Sequence, residues 1–121
     1  ARRPAFQLLF YPVVSMEEEY VHKPSMLRLF GRELHGLEAK RRSPLYRIDG
    51  AAPPAFIAAA ADDSAVTPLG SIRYAECLLE AGVGVALHLY PSGGHGFGLR
   101  REFAWRGELL AELEKWLKVE A

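Results

Sequence analysis

Cysteine is nearly missing from this chain of 121 residues: Cys77 stands alone, so no intrachain disulfide can form and the redox compartment is left open. It lies in "YAECLLEAG", a helical pattern, where it reads as a small buried hydrophobe. An excess of charge is missing too, with 15 basic against 15 acidic side chains. That balance argues against a nucleic-acid partner, which calls for a basic surplus gathered on one face; "KRR" at Lys40 to Arg42 reads as a solvated loop. No apolar run approaches the roughly 20 residues of a membrane span. Internal repeats, low-complexity tracts, "HExxH", a cysteine pair and the two Gly-rich phosphate signatures are likewise absent. The opening "ARRPAF" has neither an initiator Met nor a signal-peptide layout, and a core strand comes within a few residues. The chain is therefore expected to be a portion cut from a longer one, and compartment and oligomeric state carry no signal in it.

What is present is a hydrophobic half, enough for one core, arranged as strands alternating with helices. "FQLLFY" (Phe6 to Tyr11), stopped by Pro12, predicts a strand buried on both faces. "PSMLRLFG" predicts a short helix, with Pro24 in its first turn and Gly31 at its end. Residues 32–46 are polar and mixed, helical in pieces, and residues 15–47 read as an insertion between core elements. "APPAFIAAAADD" predicts a strand of about seven residues running up to an acidic pair. A helix over "PLGSIRYAECLLEAG" comes next, with Ile72, Ala75, Leu78 and Leu79 at helical spacing and Gly82 as its stop. "VALHLY" (Val85 to Tyr90) is the next strand, and the tail places Leu109, Leu113, Trp116 and Leu117 on one face of a last helix. Strand, helix, strand, helix with short connections makes a parallel sheet of the α/β class in one domain, or part of one.

In open α/β sheets, sites form beyond the carboxyl ends of the strands. Asp62 and Asp63 stand at one such end, and His95, in "PSGGHGFG", comes after the next. If the two strands are neighbours, a carboxylate and an imidazole meet. The carboxylate would fix the tautomer of the ring and stabilise the imidazolium formed when the ring takes a proton, which is the base half of a nucleophilic catalytic set. Other readings share these residues. An acidic pair after a strand is often a turn or a helix N-cap, and a histidine among glycines is often plain loop. Asp62, Asp63, His88 and His95 could offer metal ligands, although His88 lies between apolar neighbours inside a strand and suits a sheet face better.

At these residues the sequence resembles the C-terminal portion of α/β-hydrolase-fold serine esterases, the acetylxylan-esterase-like and dienelactone-hydrolase-like group. "DDSAVTP" is similar to that group's acid motif, with Asp63, Val66 and Pro68 in place and the proline one residue late; "YPSGGHGFG" fits its histidine motif throughout. "FQLLFYPVVSM", "HKPSMLRLFG" and "SPLYRIDGAAPPAFIAAAADD" resemble the strand and cap segments between, so the likeness spans nearly the whole chain. It implies Asp63 as triad acid, His95 as base, Asp62 as a neighbour of the acid, Phe97 as a wall of the acyl pocket or a residue packed on the sheet, and Tyr11 and Pro12 as lesser candidates. It implies a small-molecule ester substrate, acetylated sugars among the options, and neither metal nor other cofactor. The group's nucleophile sits in G-x-S-x-G, and none of the six serines here (Ser15, Ser25, Ser43, Ser64, Ser71, Ser92) lies in such a motif. The serine and the oxyanion-hole amides are expected upstream of this chain, which alone should not turn over. A prolyl-oligopeptidase-like peptidase and a non-catalytic binding module of the same fold are the alternatives.

Overall fold

The computed structural model describes residues 3–120. Three parallel strands, β1 (Gln7–Phe10), β2 (Ala55–Ala60) and β3 (Val85–Tyr90), form a sheet in the order β1-β2-β3. Gln7 pairs with Ala55 and Ala55 with Val85, so all three strands start level and end at one edge. Between β1 and β2 lie α1 (Lys23–Phe30), α2 (Gly36–Arg41) and a 3-10 turn at Pro44–Arg47; α3 (Pro68–Glu80) joins β2 to β3, and α4 (Arg106–Glu120) closes the chain.

β2 is the spine, with all six residues buried. Its alternation splits the core in two. Ala55 and Ile57 face α3, joining Tyr74, Ala75, Leu78 and Val83; Phe56, Ala58 and Ala60 face α4, joining Tyr90, Phe97, Phe103 and Leu109. Small side chains along β2 suit this position, because helices packed over alanine approach a sheet closely. Fully burying Phe56, Ile57 or Leu78 contributes about 1.5–3 kcal/mol each.

Two expectations need correction. β1 is a strand, but it is not buried on both faces: Leu8 is 42% exposed, and Gln7, Leu9 and Phe10 are half-buried. Among the described residues β1 pairs on one side only, with β2, so one of its edges and much of its surface lack a neighbour. On α3 the inner face is Ser71, Tyr74, Ala75 and Leu78, while Ile72 and Leu79 point outward. Polar atoms hid this face in the sequence. Ser71 is small enough to bury, and the Tyr74 hydroxyl donates to Gln7 Oε1 at 3.2 Å. The ends of α3 obey the sequence signals: Thr67 caps it by accepting the Leu69 N–H, Pro68 begins it, and Gly82 leaves it at φ 76°.

Residues 15–47 carry a cluster of their own, Met16, Met26, Leu34 and Ala39. Buried Ser43 locks it, accepting the Met16 N–H at 2.7 Å and donating to the Ala39 carbonyl at 2.6 Å. The Leu45 N–H donates to the Val14 carbonyl, tying this segment to the α3 side of the sheet. No described helix is long and apolar enough to cross a membrane.

Candidate active site

The acid turn begins where β2 ends. The Ala61 N–H donates to the Tyr90 carbonyl at 2.7 Å, carrying the β2–β3 ladder one step beyond the strand, and the chain then turns through Asp62 into Asp63. The Asp63 side chain is 1% exposed. A carboxylate withdrawn that far from water needs its lone pairs filled. Oδ1 accepts the N–H groups of Ala65 and Val66, each at 2.9 Å, and Oδ2 meets His95 Nδ1 at 2.8 Å. Because a carboxylate only accepts, Nδ1 carries the proton and Nε2 is left as the basic nitrogen. The His95 side chain is 38% exposed, so the pair has a buried end and an open end.

Asp62, the neighbour of the acid, does a separate task. Its Oδ1 accepts the Gly94 N–H at 2.8 Å, pinning the backbone one residue ahead of the histidine. Adjacent carboxylates thus hold one loop twice, Asp62 by its main chain and Asp63 by its ring. Gly93 shows why this loop is built of glycine. At φ 137°, a β-carbon there would stand 2.6 Å from the Phe103 ring.

Phe97 is 3% exposed and stacks on Phe103 with centroids 4.3 Å apart. It packs over the α4 face of the sheet and also borders a cleft of about 240 Å³ beside His95, rimmed by Ser92, Arg100 and Glu102. Tyr11, a lesser candidate in the sequence, stands against the imidazole, ring centroids 4.6 Å apart. The signal that could have raised it was an aromatic residue at the carboxyl end of a parallel strand, the same edge that carries the acid and histidine loops. Tyr90 packs its ring on Phe103, its hydroxyl buried without a hydrogen bond among the described residues; burial, with Glu112 and Glu108 nearby, raises its pKa.

His88 stacks on Phe56 at 4.7 Å, on the sheet face toward α4. Among the described residues no three His, Cys, Asp or Glu side chains stand close enough to share a metal ion, and none of the serines hydrogen-bonds His95. The arrangement can take and return a proton at Nε2, with Asp63 stabilising the charged ring.

A parallel sheet with an acid and a histidine after consecutive strands defines a class, and comparison with known proteins gives the family. Residues 1–99 match the family model described as alpha/beta hydrolase fold, and the chain belongs to that family. It is 38% identical over 122 aligned positions to an acetylxylan esterase of Xylanibacter ruminicola, an alignment covering 96% of this chain and 25% of that protein. Among solved structures it is similar to an acetyl ester-xyloside bifunctional hydrolase from Caldicellulosiruptor lactoaceticus, with a TM-score of 0.89, 32% identity, and 97% of this chain and 43% of the other covered. It is also similar to the thermophilic esterase Est2 of Thermogutta terrifontis in its propionate-bound form, with a TM-score of 0.68, 28% identity, and 96% and 42% covered. The chain thus spans a quarter of the curated relative and less than half of these structures.

Proposed function

We propose that this chain is the C-terminal, acid–base portion of a serine hydrolase that cleaves carboxylic esters. The observation that carries the reading is the buried Asp63 carboxylate held on His95 Nδ1 at 2.8 Å, beyond the carboxyl ends of neighbouring strands. A serine from a preceding segment of the protein attacks the acyl carbonyl while His95 Nε2 takes its proton. The imidazolium, stabilised by Asp63, returns that proton to the departing alcohol. Water then repeats the sequence on the acyl-enzyme, with His95 again as base. No metal or cofactor is needed for these steps.

The substrate class we infer is small esters with acetylated sugars foremost, supported by the names of the acetylxylan esterase and the acetyl ester-xyloside hydrolase. Phe97, at the cleft beside His95, serves as a wall of the acyl pocket, and residues 15–47 form a cap. The relatives favour an esterase over a peptidase.

The test is hydrolysis of p-nitrophenyl acetate by the full-length protein carrying this chain. His95→Ala should lower kcat by about 10³–10⁶, and Asp63→Asn by about 10⁴ through loss of the correct tautomer. Hydrolysis at the uncatalysed rate by the wild type and by His95→Ala alike would leave the fold as a non-catalytic binding module.

A further inference from the structure

Tyr11 combines two unusual features. Its φ of 42° makes it the one non-glycine among the described residues in the left-handed region, where a β-carbon crowds the backbone. Its ring stands 4.6 Å from the His95 ring with planes 62° apart, and 5.0 Å from Phe97 at 82°. The Tyr11 N–H holds the strained turn by donating to the Ala58 carbonyl at 2.7 Å, extending the β1–β2 ladder past Phe10. Pro12 adds to the strain, because a residue before proline is driven toward extended backbone. Strain that surroundings hold in place gathers at functional sites. Here its effect is to carry an aromatic ring from the end of β1 across β2 to the loop after β3.

His95 has need of such a wall. Its side chain has one hydrogen-bond partner among the described residues, Asp63, and a single bond at Nδ1 leaves the imidazole able to swing about that contact. The residues on either side, Gly94 and Gly96, have no side chains to steady it. We propose that Tyr11 is a positioning residue for His95, its ring serving as a wall that holds the imidazole in line with Asp63 and aims Nε2 at the reacting atoms. This rests on the acid–base reading of His95. The Tyr11 hydroxyl makes no hydrogen bond among the described residues, so the flat ring is the working part. The charged groups nearby are Asp63 at Nδ1, Asp62 beneath Gly94, and Arg100 and Glu102 on the adjoining cleft.

The experiment uses Tyr11→Phe, Tyr11→Leu, Tyr11→Ala and His95→Ala in the full-length protein, with p-nitrophenyl acetate as probe. Circular dichroism monitors folding, and NMR tracks the His95 Nδ1 proton. Tyr11→Phe should keep wild-type kcat, and Tyr11→Ala should lose about 10- to 100-fold in kcat with little change in KM, as misaimed catalytic groups do. Tyr11→Leu should fall between, filling the space without offering a flat wall. The Nδ1 proton resonance should persist with Phe and broaden with Leu and Ala. If Tyr11→Ala does not fold, Tyr11→Leu decides alone. Wild-type kcat and an unchanged resonance in Leu and Ala would overturn the proposal, as would a Phe variant as impaired as Ala. If His95→Ala hydrolyses the ester as fast as the wild type, the acid–base reading fails and takes the positioning role of Tyr11 with it. A lossy Tyr11→Ala beside an inactive His95→Ala supports both.

Discussion

At the scale of single residues, the site depends on positions where one atom too many is excluded. Gly93 is the sharpest case, since a β-carbon would meet both the left-handed backbone and the Phe103 ring. Gly93→Ala should lower the unfolding free energy of the full-length protein by about 2–4 kcal/mol, summing backbone strain and overpacking, as read from urea denaturation. Tyr11 offers the opposite comparison, because its strain is relieved by losing the β-carbon altogether. Tyr11→Gly and Tyr11→Ala both remove the ring, yet the glycine variant should be the more stable by about 1 kcal/mol, the cost of that backbone for a residue with a β-carbon. Equal stabilities would mean that the turn relaxes once the ring is gone. Asp63 and His95 were legible as a pair from sequence because their motifs are short and each comes after a recognisable strand. The ring of Tyr11 was not, since its direction comes from a backbone angle that no residue pattern announces. Asp62 was legible only as a neighbour, because its partner, the Gly94 N–H, is a backbone group that no residue type marks.

At the scale of elements, β2, α3, β3 and α4 were legible because local signals mark their ends: Thr67 and Pro68 start α3, Gly82 lies just past its end, and Pro91 closes β3. The inner face of α3 was misread where Ser71 and Tyr74, which carry polar atoms, turned out to face the sheet. That gives a paired expectation. Leu78→Ala, at full burial, should cost about 2–5 kcal/mol, whereas Leu79→Ala, 65% exposed, should stay within about 0.5 kcal/mol. Comparable losses from both would put the helix in a different rotation. Residues 15–47 were the least legible part. Their order is set by contacts between distant positions, such as the Ser43 hydroxyl to the Met16 N–H and the Leu34 N–H to Met26 Sδ, and no local periodicity encodes those.

At the scale of the whole molecule, β1 and β3 are both edges of the described sheet, and apolar side chains lie open along it, among them Leu8 and Leu89, each 42% exposed. Leu29 and Leu37 add to this in the segment between β1 and β2. Unpaired edges with apolar flanks invite association. The 121-residue chain made by itself should therefore bind a hydrophobic dye and associate as its concentration rises; a sharp, cooperative melt of a monomer in dilute solution would contradict this. Asp63 and His95, by contrast, are separated by one helix, one strand and 32 positions, and their two loops are hydrogen-bonded directly to each other. They would travel together in any exchange of gene segments that keeps residues 61–95, from the end of β2 through the loop after β3, on one piece. A lineage could thus inherit the Asp63–His95 contact as a single heritable cassette, whereas the Tyr11 ring, borne on the end of β1, would have to arrive with a different piece.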